Sequence, residues 1–420
     1  MLTHFRFDLV PKLLYAKYRE ENINTGFALD LYREHLRVWN GFKEYDNPDK
    51  NTFEKFKESF DNLLDSMKME GFKEEFAVPV TKEGHLLNGA HRVAAAMTHR
   101  VPIKTKVSTN PKDGQVNCSS EFFRQLGLGE KWLDAMALHY VLMGSGLKII
   151  TMFPARDSSK DSIAEDIINN SVPVVYKKTF NVNDRGLFNL ISQLYFGEPW
   201  LSDGVDPLVG AKLKANVCRG SAPVKVFLVQ SPPEDLKEKI RDVYGIEKHS
   251  AHINDTDVET QRIARIVFNN NSINFLNNGT YFYSYKLVEL LDVYRKTLDA
   301  NSIDPESFCI TGSAIMTMFG LRECADLDYL HLDPALTLGG DGLRFPWEKM
   351  SFAPLINSHE TELKKYPLHK HDILSNPYNH FFFNDIKFAT LDVVKALKAN
   401  RAEEKDLVDV KLMEQVLCVN

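Results

Sequence analysis

Cysteine is scarce and scattered. Five residues, at positions 118, 218, 309, 324 and 418, stand far apart and are odd in number. They make no disulfide framework, and no Cys-x-x-Cys or Cys/His cluster suggests structural zinc, so a reducing interior is expected. No run of about 18 apolar residues occurs, so no membrane span is expected. The stretch from Met1 to Pro11 mixes charges with its apolar residues and lacks the long apolar core of a signal peptide; a cytoplasmic location is expected. Basic excess is missing as well. With 51 Lys+Arg against 57 Asp+Glu the net charge is −6, which argues against a general nucleic-acid coat but not against a small basic pocket for a nucleotide. No internal repeat or low-complexity linker is evident. At 420 residues the chain is long for one core, so two or three domains are expected.

The most chemically suggestive stretch runs from Ile310 to Leu330. It holds an apolar entry, a Gly312-Ser313 turn, a short helix, and then Asp326-Leu327-Asp328 in an apolar run. In a strand, residues i and i+2 point the same way, so the two carboxylates project together. Two adjacent carboxylates repel, and burying them unpaired is costly. Mg²⁺ holds such pairs, usually with one or two carboxylates plus substrate phosphates. The Gly-Ser turn offers backbone N–H groups to an anion. The bland alternative is an Asp pair at a strand end, capping or solvated.

The Gly-Ser turn, short helix and Asp-x-Asp strand together resemble the signature of the nucleotidyltransferase superfamily. The hairpin Phe381–Phe383 and Ile386–Phe388, the helix after Thr390, and the run Lys405, Asp406, Asp409 extend this resemblance to the tail. That combination is similar to enzymes of bacterial surface-polysaccharide assembly. The resemblance implies a third catalytic carboxylate on a later strand. Asp385 is the nearest acid, but it sits in the Asn384-Asp385 turn, where these residues are ordinary turn chemistry. Ser358-His359-Glu360 and His369-x-His371-Asp372 are polar, and exposed loops are expected there. Gly339–Gly342 is expected to be a loop.

Residues 5–45 have helical spacing, and Phe53–Met67 forms a second amphipathic pattern ending near Gly71. Strands are expected at 76–80, 85–87 and 101–107. Between the last two lies Asn88-Gly89-Ala90-His91-Arg92, a Gly turn opening an Ala-rich helix. Free N–H groups and the helix dipole favour an anion there, and Arg92 adds a bidentate donor. His91 also reads simply as a helix-start residue bonded to backbone.

This Gly-x-His-Arg junction resembles the phosphate-binding loop of the ParB/sulfiredoxin superfamily over roughly residues 75–110. Members include a peroxiredoxin-repair enzyme, a DNA-partition clamp and free-serine kinases. The repair enzyme's nucleophilic cysteine is replaced by Ala90, and the clamp's acidic, doubly basic loop is absent. The resemblance therefore implies nucleotide or phosphate binding by Asn88, Gly89, His91 and Arg92.

The middle of the chain alternates strands (148–153, 172–180, 222–229) with helices, one of them starting with Ser162 as its N-cap. His252, Asp255, Thr256 and Glu259 then cluster at a strand-to-helix turn. Thr256 and Glu259 have capping-box spacing. A neutral imidazole beside carboxylates also acts as a base or nucleophile. The His252, Asp255, Thr256 order is weakly similar to the nucleoside diphosphate kinase pattern, although Glu259 falls one residue late and that family's phosphate segment is shortened or missing.

The resulting expectation is an α/β (α+β) multidomain protein. A ParB/sulfiredoxin-like domain spans 1–125, a middle α/β domain 126–280, and a nucleotidyltransferase-like domain 281–420. Its expected activity is Mg²⁺-dependent phosphoryl or nucleotidyl transfer from a nucleoside triphosphate (ATP or CTP) to a small alcohol or sugar, in surface-polysaccharide biosynthesis. Asp326, Asp328 and His252 are the candidate catalytic residues, with Asp326 and Asp328 as metal ligands and Gly312 and Ser313 cradling phosphate. The alternative is a ParB-like nucleic-acid-binding or regulatory protein without transferase activity.

Overall fold

The computed structural model describes residues 6–44, 47–110, 116–280, 284–332 and 356–417. The loop expected at Gly339–Gly342 lies outside them. The fold mixes helix and sheet. Two compact units divide it: the first holds 1–147 with 173–177 and 227–231, the second the rest. Among the described residues no helix is long and apolar enough to cross a membrane.

In the first unit the long helical pattern over 5–45 resolves into two helices, Val10–Glu20 and Gly26–Asn40, followed by Phe53–Glu70. Thr25 and Thr52 cap the second and third by accepting backbone N–H bonds. Their apolar faces meet in a core containing Tyr32, Phe56, Phe60, Leu64 and Ala94–Ala96. Burying such side chains stabilises by roughly 1.5–3 kcal/mol each for the large ones. Two short parallel strands, β1 (Val78–Val80) and β2 (Thr105–Val107), flank the helix Ala90–His99. The strand expected at 85–87 does not form, because Leu86 makes only an isolated bridge with Val80. The strand expected over 101–107 shortens to its last three residues.

The middle of the chain carries strands β3 (Leu147–Met152), β4 (Val174–Phe180), β5 (Val224–Gln230) and β6 (Ala251–Ile253), in the order β4–β5–β3–β6. β6 is an edge strand antiparallel to β3. The helix expected to start after a Ser162 cap begins two residues earlier, at Asp161, directly after a 3₁₀ turn capped by Asp157. Asp161 itself is taken by Arg156, at 2.8 and 3.0 Å.

The second unit also holds a five-stranded sheet. Its strands are β7 (Phe308–Thr311), β8 (Leu327–His331), β9 (Ile356–Ser358), β10 (His380–Phe383) and β11 (Ile386–Ala389), in the order β10–β11–β7–β8–β9. The β10–β11 hairpin turns at Asn384-Asp385, both with positive φ as a two-residue hairpin requires. Gln193 clamps the turn by accepting from the Asn384 N–H and donating to its Oδ1, both at 2.7 Å. Thr390 caps the helix Leu391–Arg401 as its position predicts.

Candidate functional site

β7 is buried along its whole length and delivers the chain to Gly312 at the edge of the core. Gly312 has φ +68 and starts the buried helix Ser313–Met318. β8 runs antiparallel beside β7 and places Asp328 opposite Thr311 on one side and Asn357 of β9 on the other. Leu327 and Tyr329 turn to the opposite face and are buried, as strand alternation requires. The Gly-Ser turn and the Asp pair thus meet at one end of the sheet. A Cβ on Gly312 would sit 2.4 Å from Asp328 Oδ2, so only glycine fits this approach.

The Asp328 carboxylate is strained electrostatically. Burial, and then the nearby Asp326 charge, push Asp328 up to about 7, against the opposing pull of Arg401 and Lys398. A polar chain leads away from it. The Thr311 and Tyr366 hydroxyls lie 3.0 Å apart, and the Tyr366 hydroxyl is 2.7 Å from His359 Nδ1. Burial drops His359 to about 4, so the ring is neutral. The sequence predicts an exposed loop at His359. The residue is buried instead, because β9 pairs with β8 and His359 N–H bonds the Tyr329 carbonyl. His371, in contrast, is half-buried at the start of the short helix Lys370–Ser375, where His369 Nδ1 accepts its N–H.

The tail supports the site from behind. Asp406 and Asp409 are buried and bind Lys398 at 3.0 and 2.7 Å. Against the penalty of burial, Arg401 and Lys398 hold Asp406 well below the usual carboxylate range. Arg322 grips Asp409 with two bonds of 2.7 Å. Lys405 points elsewhere, pairing with Glu403. Asp406 and Asp409 therefore anchor Lys398 and Arg401, whose positive charges act on Asp328.

Asp385 does not join the pair. β11 is parallel to β7 with Phe388 beside Ile310, so the preceding turn lies at the end of the sheet where β7 begins. There Asp385 faces Arg262 at 3.8 Å and Arg265 at 3.9 Å. Among the described residues no group of three or more His, Cys, Asp or Glu is arranged around a metal position. Asp326 and Asp328 offer two carboxylates, which meets what Mg²⁺ asks of protein when phosphates complete its shell.

The first unit places Asn88–Arg92 at the mouth of a cavity of about 280 Å³. Gly89 has φ +92, and its N–H bonds Asn88 Oδ1 at 2.6 Å. Arg92 is turned back to the carbonyls of Phe76 and Ala77. His91 Nε2 lies 2.8 Å from the Tyr32 hydroxyl and its ring stands edge-on to Phe60. Burial pushes His91 well below the usual imidazole range, so it is neutral. Behind it lie Arg6, Asp8 and Lys12. Arg6 holds Asp8 bidentately at 2.7 Å, and Lys12 donates to the Asp8 carbonyl at 2.8 Å.

His252 sits on β6, on the other sheet from the Asp pair, in a separate cavity of about 400 Å³. Thr256 and Glu259 form the expected capping box, with Glu259 also accepting the Asp255 N–H at 2.7 Å. Asp255 pairs with Lys237 at 3.5 Å. Tyr366 and the pair Lys398 and Arg401, which share the helix Leu391–Arg401, come to the surroundings of Asp328 from later parts of the chain, and no short motif marks them. No protein-family model, curated protein or solved structure matches this chain in comparisons with known proteins.

Proposed function

We propose that this chain is a Mg²⁺- and nucleotide-dependent transferase, moving a phosphoryl or nucleotidyl group to a small alcohol or sugar. The observation that carries this reading is the meeting of Asp326 and Asp328 with the Gly312-Ser313 turn. Asp328, desolvated and set beside the Asp326 charge, asks for a cation, and the adjoining turn offers N–H groups for phosphate. Asp326 and Asp328 would hold Mg²⁺, which neutralises phosphate charge. Gly312 and Ser313 would orient the phosphates, and Lys398 and Arg401 would limit the negative field. Such catalysis is mainly positioning and charge neutralisation.

The Asn88–Arg92 loop would bind nucleotide or phosphate in its own right. Its contacts would come from the first N–H groups of the helix Ala90–His99, because Arg92 is engaged with carbonyls and His91 with Tyr32. His252 is the second candidate centre. A role in surface-polysaccharide biosynthesis is supported by the resemblance of the Gly312–Asp328 stretch and the tail to that group of enzymes.

The test is unfolding stability with ATP or CTP, with and without Mg²⁺. A nucleotide at about 100 times its Kd should add roughly 2.7 kcal/mol. Asp326→Asn and Asp328→Asn should each abolish the Mg²⁺-dependent part. Absence of any nucleotide effect with Mg²⁺ present would sink the proposal, and an effect untouched by both substitutions would move the centre to Asn88–Arg92 or His252.

A further inference from the structure

The cavity at His252 is built from groups that the Asp326–Asp328 reading does not use. Tyr195, Trp200, Lys214, Lys237, Arg241 and His252 line it, together with the acids Glu198, Asp255 and Glu259. Four of the other ionic groups are engaged elsewhere. Asp255 takes Lys237, Glu259 is spent on backbone N–H groups, and Arg241 is held by Glu238 at 2.7 Å. Lys214 remains. Its ammonium donates to the Lys248 carbonyl at 2.7 Å and lies over the rings of Phe153 and Tyr195, with no carboxylate among its contacts in the described residues. Burial depresses Lys214, and the charges of Lys248 and Arg241 add to this, which is the signature of a cation short of a counter-ion.

His252 supplies the second, independent observation. The residue is only 8% exposed, and its Nε2 is buried with no hydrogen-bond partner among the described residues. Burial keeps the imidazole neutral, pulling it down to about 3. A buried ring nitrogen left without a partner is rare. The wall beside it is aromatic. The Tyr195 ring is 4.6 Å from His252 and 4.9 Å from Trp200, and Trp200 is 42% exposed. An exposed indole beside a cation cluster is a surface for a planar or ring-shaped group.

We propose that this cavity binds an organic phosphate, its phosphoryl oxygens taken by Lys214 beside the His252 imidazole and its ring laid against Trp200 and Tyr195. A phosphoryl group has oxygens enough to meet Lys214 and still turn one toward Lys237 and Arg241 at the rim. The cavity, about 400 Å³, has room for a sugar phosphate or a nucleoside monophosphate. The inference stands independently of the carboxylate pair on β8.

Isothermal titration calorimetry on the full chain in Mg²⁺-free buffer tests it, with inorganic phosphate, ribose 5-phosphate, a nucleoside monophosphate and the matching unphosphorylated nucleoside. The phosphorylated ring compounds should bind, inorganic phosphate more weakly, and the nucleoside not measurably. Lys214→Ala should weaken every phosphate at least about tenfold, the effect of losing one charged hydrogen bond. Trp200→Ala should weaken the ring compounds alone, and His252→Gln should weaken all of them by less than Lys214→Ala. Preference for the nucleoside monophosphate would place a base on the indole; preference for ribose 5-phosphate would place a sugar there. Asp328→Asn should bind as the wild type does, which separates this site from the carboxylate centre. No binding of any phosphate at millimolar concentration overturns the proposal. So does binding that Lys214→Ala, shown by circular dichroism to be folded, leaves unchanged.

Discussion

Gly312 and Asp328 are in such close approach that a single methyl group would break it. A Cβ at position 312 would lie 2.4 Å from Asp328 Oδ2, and the backbone there has φ +68. Gly312→Ala should therefore cost stability twice, through backbone strain and through displacement of the carboxylate, together about 1–3 kcal/mol or more. Gly41→Ala is the control, since Gly41 has φ +58 and nothing within 4 Å of its would-be Cβ. Urea unfolding of both variants should show the larger loss at Gly312. Equal losses would mean that Asp328 is free to move aside.

Asp328 also makes a pH prediction. Its folded value of about 7 lies above the roughly 3.9 of an unfolded aspartate. Below about pH 4 the group is protonated in both states and costs nothing. As the pH rises from about 4 to about 7 the unfolded chain releases its proton while the folded one keeps it, so stability falls, and the loss is complete above about 7. An amide in place of the acid cannot ionise. With a chelator present, Asp328→Asn should match the wild type near pH 4 and exceed it by about 1–4 kcal/mol near pH 8. A difference that does not change with pH would show that the carboxylate is not desolvated.

How much of the fold and the site is legible in the sequence depends on the distance over which each feature is encoded. Gly312, Ser313, Asp326 and Asp328 fall within seventeen residues, and the short turn and strand bring Asp328 against Gly312, although Asp326 precedes the strand, which begins at Leu327. The capping box at Thr256 and Glu259 is equally local, and it forms. His359 reads as a loop residue because its burial depends on β9 pairing in parallel with β8, a partner nearly thirty residues away. Lys398 and Arg401 lie on a surface-like helix pattern, and only the docking of Asp406 and Asp409 turns them inward. The Lys214 and Trp200 side of the His252 cavity is assembled from helices and turns that no short motif joins. Ser162 is a plausible cap by type, yet Asp157 and the buried Arg156–Asp161 pair start that helix earlier.

In the first unit, Tyr32→Phe isolates the role of His91. The phenylalanine keeps the ring packed against Tyr15 and Phe60, at 5.2 and 5.7 Å, but removes the hydroxyl 2.8 Å from His91 Nε2. A half-buried nitrogen left without its partner should cost about 1 kcal/mol. Chemical unfolding measures this directly, and NMR of the His91 ring reports the change of tautomer. If stability is unchanged, solvent reaches the ring and His91 is open to a ligand in the neighbouring cavity.

Lys398 tests whether the tail and the carboxylate pair form one electrostatic system. Its ammonium is 4% exposed and lies between Asp406 and Asp409, which are 0% and 4% exposed as side chains. Lys398→Met leaves both acids buried with one cation fewer, although Arg401 and Arg322 still hold them. Breaking buried pairs of this kind costs about 3–5 kcal/mol, and unfolding in urea should show a loss toward the lower end because those arginines remain. The same substitution removes one of the two positive charges that restrain Asp328. The Asp328 titration, followed by carboxyl ¹³C NMR in Mg²⁺-free buffer, should therefore move upward from about 7. A stability loss without that upward movement would make Lys398 a clasp for the C-terminal helices alone, with no bearing on the carboxylate pair.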